Sequence, residues 1–260
     1  RAMDVLIVGA GSMGTWFGDA VDARVAFADI DCDAAAAAAD AVGGDVAALE
    51  GATTYDIVCL AVPMTHVTDA IAAQAPRAER AIVDVSGVME PALAAMERHA
   101  PDVERVSLHP LFAPERAPGS IAAVCNRSGP VTDELLATLE ARGNELLETT
   151  ATEHDETMET VQAATHAAVL SFALAAESVP EGFETPIYET MGRLATQVTA
   201  GTPRVYADIQ ATFDGADAVA DAAAEIAAAD SDDLETLYQE AAANWHDEHD
   251  ERRDSGGDPT

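Results

Sequence analysis

The chain contains no lysine. Its 13 basic residues are all Arg, set against 47 Asp and Glu, and the formal net charge is −34 over 260 residues. Binding to nucleic acid or to an anionic membrane needs basic surface, so both are excluded as expectations. A surface this acidic repels itself in dilute buffer, and salt near 1 M, which shortens the screening length to roughly 3 Å, removes most of that repulsion. The composition therefore reads as that of a halophile. Cysteine is scarce. Cys32, Cys59 and Cys125 are far apart and odd in number, which argues against a disulfide framework, and no metal site is predicted. Cys59 and Cys125 lie in apolar, strand-like runs, so both are expected to be buried thiols. No apolar run approaches the length of a membrane span, and no signal-like segment precedes the first strand pattern. The expected location is the cytoplasm.

What the chain does have is a strand, a glycine turn and an acid at a telling distance. DVLIVGAGSMG carries an apolar run at Val5–Val8 followed by Gly9, Gly11 and Gly14 as G-x-G-x-x-G. Gly9 permits a tight turn, Gly11 lets backbone approach a pyrophosphate, and Gly14 lets the following helix lie close to the strand. The first amides of that helix, at Ser12 and Met13, face the phosphates with the positive end of the helix dipole. Asp29 closes the next apolar run, RVAFAD, twenty positions after Gly9. A carboxylate there accepts from a ribose 2′-hydroxyl and repels a 2′-phosphate, so the expected cofactor is NAD. Later, AVPMTHV places Val62, Pro63 and Thr65 where a loop can line the nicotinamide half.

Through the first 150 residues apolar strand patterns alternate with helical ones. Strands are predicted at about 4–8, 24–28, 56–62, 81–85, 104–108, 121–125 and 145–149. Runs such as DIVCLAV are continuously apolar, as a parallel sheet covered on both faces requires. This predicts a doubly wound α/β Rossmann domain over 1–150. From 151 to 247 strand signals vanish and an all-helical domain is expected, beginning with a long helix over 153–178. DAVADAAAEIAAAD places Val219 and Ile226 on one face of an Ala-rich helix that buries little area, so it should be peripheral. The tail over 248–260 is acidic, has no apolar face and is expected to be disordered.

Four places carry groups capable of chemistry. In ERVSLHPLFAPER, His109 precedes Pro110, which favours extended geometry and projects His109 from the carboxyl edge of the sheet. A neutral imidazole there takes a proton from a hydroxyl as hydride leaves the same carbon; the alternative is a histidine that only caps a strand end. On the long helix, His154, Met158, Gln162 and His166 recur every four residues. His154 and His166 are about 18 Å apart along the axis, so Gln162 and His166 form one candidate group and His154 is expected to organise the helix start. A solvated polar face is the alternative. In MGRLATQ, Arg193 lies in an apolar helical context and should need a carboxylate partner, from the protein or from a substrate. In VDVSGV, Ser86 follows a buried strand and can orient an imidazole or a substrate hydroxyl, or simply start a loop.

Taken in order, GAGSMG, LAVPM, VDVSGV, LHPLFAPE, EHDETMETVQAATH, TPIYETMGRLATQ and PRVYADIQ resemble the prephenate dehydrogenase family, over roughly residues 4 to 213. The resemblance implies NAD-dependent oxidative decarboxylation of a small dianion, prephenate, to 4-hydroxyphenylpyruvate on the route to tyrosine. It implies that His109 bonds the 4-hydroxyl, that Arg193 holds a substrate carboxylate, that His166 belongs to the substrate pocket and that Glu115 stands at its mouth. The helical half would be a dimerisation domain, giving a homodimer. The chain departs from the family in places. DVSGVM stands where the family reads D-x-x-S-V-K, so the serine position aligns with Gly87, Ser86 comes one residue early, and the lysine is Met89. The glycine after HPxF is Ala113. Arogenate dehydrogenase, the same chemistry on the aminated side chain, is the nearest alternative. Another small NAD-dependent dehydrogenase with a helical dimer domain, acting on a 3-hydroxy acid, is a broader alternative; such enzymes generally use a lysine, and its absence counts against this one. A non-catalytic nucleotide-sensing module is the alternative of another class.

The charge makes one prediction on its own. Exhaustive desalting should unfold or inactivate the protein, as read by circular dichroism and activity; full retention of both would contradict the halophilic reading.

Overall fold

The computed structural model describes residues 3–255, with side chains as far as residue 246. The first half runs β1 (Asp4–Val8), α1 (Ser12–Ala20), β2 (Arg24–Ala28), α2 (Cys32–Val42), β3 (Asp45–Val46), β4 (Tyr55–Leu60), α3 (Val67–Gln74), β5 (Ala78–Asp84), α4 (Glu90–His99), β6 (Glu104–Pro110), β7 (Ser120–Arg127), α5 (Pro130–Ala141) and β8 (Glu145–Glu148). The strands form one sheet in the order β3-β2-β1-β4-β5-β6-β7-β8. Pairing is parallel from β3 to β6. β7 then runs antiparallel to β6, and β8 runs parallel to β7. The doubly wound α/β fold expected from the sequence is present, with a mixed edge that strand patterning alone does not reveal. The two-residue β3 is likewise too short to carry a periodic signal.

Alternate residues of the buried strands feed two apolar layers. Val5 and Ile7 pack with Phe17, Phe27, Leu135 and Leu139 on one face. Leu6, Val58, Leu60 and Ile82 pack with Ile71, Met89 and Met96 on the other. Cys59 is buried in the first layer. Cys125, expected to be buried, is exposed. The β7–β8 ladder ends at the pair Ala123–Glu148, so β7 outruns its outer neighbour and its last residues lose their cover.

The second half is helical: α6 (Ala151–Met158), a π-helical turn (Glu159–Ala164), α7 (Thr165–Ala175), α8 (Pro186–Thr199), α9 (Pro203–Thr212), α10 (Gly215–Ala228) and α11 (Ser231–Ser255). The long helix predicted over 153–178 is therefore interrupted by a wide turn and stops at Ala175. Met158, Ala163, Ile209 and Phe213 join the second apolar layer, so the helices share a core with the sheet. Helix α10 buries only Gly215, as its Ala-rich composition suggested. Helix α11 continues through 248–255, where disorder was expected, because helical backbone bonding carries on without an apolar face; residues 256–260 of that tail lie outside the described residues.

Candidate active site

The site is built at the carboxyl edge of the sheet. At the first crossover, the Gly9 amide donates to Ala28 O at 2.9 Å and the Ala61 amide donates to Val8 O at 2.7 Å, which ties the glycine turn to β2 and β4. Gly9 has φ +101°, and a Cβ on it would lie 2.3 Å from Ala61 O. A Cβ on Gly14 would lie 2.0 Å from Gly9 O, so α1 can approach the turn only with glycine there. Gly11, the N-cap of α1, has nothing within 4 Å of a Cβ position, which leaves open space before the free amides of Ser12 and Met13. A dinucleotide pyrophosphate fits that space and the helix dipole behind it. Asp29 turns its carboxylate into the loop: Oδ2 accepts from the Ala10 amide at 2.7 Å and Oδ1 from the Asp31 amide at 2.9 Å. A carboxylate has about four lone-pair positions, so acceptor capacity remains for ribose hydroxyls.

His109 lies near the end of β6 and is buried, 7 % exposed. Its Nδ1 is 2.8 Å from His154 Nε2. His154 Nδ1 is in turn 2.7 Å from Asp155 Oδ1. The Asp155 carboxylate also accepts from the amides of Met89 at 3.0 Å and Glu90 at 2.9 Å, at the start of α4. Burial raises the affinity of Asp155 for a proton, but the hydrogen bonds from His154 and those two amides outweigh it and hold its pKa below the usual value. Asp155 is thus ionised and can only accept. The consequences run in one direction. His154 Nδ1 carries the proton toward Asp155, His154 Nε2 accepts, and His109 Nδ1 donates to it. His109 Nε2 is left with its lone pair, and Gln162 Nε2, 3.2 Å away, donates to it. Burial first, then the neighbouring His154, push the His109 pKa down to about 3, against an opposing pull from Asp155. The imidazole is a neutral base held in one tautomer.

The wall beside it comes from the turn after β5. Asp84 is fully buried and accepts from Ser107 Oγ at 2.7 Å and from the Ser86 amide at 2.8 Å. Burial raises its pKa to about 6, with the hydrogen bonds from Ser86 and Ser107 opposing. This anchor sets Gly87, at φ +97°, against the imidazole, where a Cβ would come within 3.2 Å of His109 Nε2.

Several sequence expectations change here. Ser86 makes no hydrogen bond to His109; its Oγ is buried without a partner, and the residue facing the imidazole is Gly87. His154, expected only to organise the start of the helix, is the second member of the relay, and Asp155 is the third. Sequence spacing placed His154 and His166 too far apart for one ligand, but gave no sign that β6 meets the helix at His154. Gln162 does join His109 as part of the site. The half-buried His166 lies edge-on to Tyr206 with ring centroids 4.9 Å apart; burial lowers its pKa, and its Nδ1 is buried without a partner. Arg193 is exposed and pairs with no acid of the protein among the described residues; its NH2 group bonds Thr190 Oγ1 at 3.0 Å. Glu115 is exposed in a short turn at Pro114–Arg116. Val62 is half-buried, and Pro63 and Thr65 are exposed. Thr65 Oγ1 meets both Asp208 Oδ1 and Arg204 at 3.3 Å, while Arg204 Nε bonds Asp208 at 2.8 Å, a link from α9 that the sequence did not suggest.

A glycine turn opening onto a helix N-terminus, with a neutral imidazole base at the same sheet edge, defines a nucleotide-binding oxidoreductase. Residues 19–126 match the family model for the prephenate dehydrogenase nucleotide-binding domain. The chain is 34 % identical over 233 residues to a 4-amino-4-deoxyprephenate dehydrogenase of Streptomyces pristinaespiralis, covering 82 % of this chain and 78 % of that protein. Among solved structures it is similar to prephenate dehydrogenase from A. aeolicus in complex with hydroxyphenyl propionate and NAD+, with a TM-score of 0.71, 16 % identity and 98 % of each chain covered. It is also similar to Synechocystis arogenate dehydrogenase, with a TM-score of 0.56, 17 % identity, and 94 % and 99 % covered. The chain belongs to the prephenate dehydrogenase family.

The depressed His109 pKa fixes the sign of a pH dependence. A base at His109 would act in its neutral form, and burial lowers the pKa of that imidazole to about 3. kcat/KM should therefore show no limb from His109 between about pH 8 and about pH 5, and in Asp84→Asn, which removes the buried carboxyl that titrates at about 6, the profile should be level there. His109→Asn should lower kcat by about 10²–10⁴-fold while nucleotide binding, read by fluorescence titration, is retained. A limb centred near 6.5 that persists in Asp84→Asn would contradict the relay tautomer.

Proposed function

We propose that the chain catalyses NAD-dependent oxidative decarboxylation of prephenate to 4-hydroxyphenylpyruvate. The observation that supports this most is the lone pair held on His109 Nε2 by His154 and Asp155. NAD+, when bound, supplies the hydride acceptor. The substrate loses hydride from C4 and its ring carboxylate from C1 as CO2, and the electron pair freed at C1 completes the aromatic ring. His109 Nε2 accepts the 4-hydroxyl proton as positive charge builds on that oxygen, and gives it back when the ring is aromatic. Charge balances without a net proton: a dianion and NAD+ give a monoanion, CO2 and NADH.

In this reading Ser12, Met13 and the three glycines receive the pyrophosphate, Asp29 the adenosine ribose, and Val62, Pro63 and Thr65 the nicotinamide side. Arg193, free of any acid among the described residues, is the proposed carboxylate holder, with His166 in the pocket and Glu115 at its mouth. The helical half is the proposed homodimer interface, supported by Leu174 and Ile187, which are 88 % and 79 % exposed. Among the described residues no helix is long and apolar enough to cross a membrane.

The test is NADH formation in concentrated KCl with prephenate and with arogenate, each with NAD+ and NADP+. Turnover of prephenate with NAD+ is expected. Turnover of arogenate alone would reassign the substrate, and turnover of neither would support a nucleotide sensor. Asp29→Ser should erode the preference for NAD+ over NADP+. Arg193→Gln should raise KM for the substrate about tenfold or more with a smaller change in kcat, as expected for loss of a charged hydrogen bond; an unchanged KM would remove Arg193 from the pocket.

A further inference from the structure

Gln162 stands against the reactive nitrogen of His109 with half of its amide unused. Nε2 donates to His109 Nε2 at 3.2 Å, whereas Oε1 is buried and has no hydrogen-bond partner. A buried polar atom left unsatisfied costs about 1–3 kcal/mol unless a ligand completes it. The placement is built into the fold. Gln162 rides on the π-helical turn at Glu159–Ala164, and such turns concentrate at functional sites. The turn is clamped from outside: the Gln210 side-chain amide donates to Ala163 O at 2.9 Å. The N-terminus of α10 presses on it so closely that a Cβ on Gly215 would lie 2.0 Å from Glu159 O. Gly87, also beside His109 Nε2, offers no side chain, so no hydroxyl from that position competes for it.

We propose that Gln162 reads the substituent on ring C4, and that the site accepts an amine there as well as a hydroxyl. This rests on the reaction assigned above. A hydroxyl has one proton and two lone pairs. It displaces Gln162 Nε2 from the single lone pair of His109 Nε2, donates there itself and accepts from the released Gln162 Nε2, and one lone pair stays free to push charge toward C4 as hydride leaves. A neutral amine has two protons and one lone pair. It needs two acceptors, because a donor aimed at its nitrogen would tie up the only pair that can assist hydride loss. His109 Nε2 is the first acceptor and Gln162 Oε1 is the second, reached by turning the terminal amide about its soft torsion. The amine, an ammonium in solution, first gives up one proton to water; the neutral form then loses hydride to NAD+ and CO2 from C1, leaving a neutral arylamine, so one proton is released overall. An amide, carrying donor and acceptor on one head, serves both substrates; an aliphatic side chain of similar size serves neither.

The experiment measures kcat/KM for prephenate and for 4-amino-4-deoxyprephenate with NAD+ in concentrated KCl, on the full chain and on Gln162→Leu and Gln162→Glu. The unaltered protein should turn over both. Gln162→Leu should lose at least tenfold more on the amine than on prephenate, and Gln162→Glu, which keeps acceptors and removes the donor, should shift the ratio toward the amine. Because the two substrates are compared on one protein preparation, partial misfolding cancels from the ratio. Turnover of prephenate without turnover of the amine overturns the proposal and leaves the assigned reaction standing. Loss of both substrates in equal measure from Gln162→Leu also overturns it, by making Gln162 a general positioning residue. Turnover of neither by the unaltered protein overturns the assigned reaction itself, and this proposal with it.

Discussion

The carboxylate of Asp155 is the point on which the arrangement depends. It belongs to the first helix of the all-helical half, yet it accepts the opening amides of α4 in the sheet-bearing half. The same two oxygens fix the tautomer of His154 and, through it, of His109. One side chain therefore joins the two halves of the molecule and determines which nitrogen of the base is free. A partly buried carboxylate with this many donors is held strongly as an anion, which is what the relay needs at its far end.

Around that tie, the fold places reactive groups by close backbone approach more than by long side chains. Gly9 and Gly14 let α1 and β4 meet at the nucleotide turn, Gly87 lets the chain pass beside His109, and Gly215 lets α10 press on the π-helical turn. The turn brings Gln162 to the same imidazole that His154 touches eight residues earlier, although an undistorted helix would separate their backbones by about 12 Å. Their side chains converge on opposite nitrogens of one ring.

Much of the molecule was legible in the amino-acid order. The G-x-G-x-x-G turn, Asp29 and the continuous apolar strands are local signals, because each residue acts on its immediate neighbours. His109 was legible for the same reason, since Pro110 restricts its backbone. The relay was not. Whether His154 meets His109 or solvent depends on how β6 and α6 pack, and a four-residue periodicity is the same in both cases. Ser86 misled because a one-residue offset at a positive-φ turn exchanges which residue faces the ring. The surroundings of Arg193 were not legible, because its apolar neighbours in sequence suggested a buried context, whereas α8 buries only Val198. The antiparallel β7 escaped because strand direction leaves no mark on hydrophobic pattern.

The hydrogen bonds among Thr65, Arg204 and Asp208 join the loop after β4 to α9, across more than 130 residues of sequence. A ligand that rearranges this loop must also rearrange, or hold still, the helix to which it is bonded. Free-energy linkage makes such an effect mutual: whatever firms α9 favours one loop geometry, and whatever selects that geometry firms α9 by an equal amount.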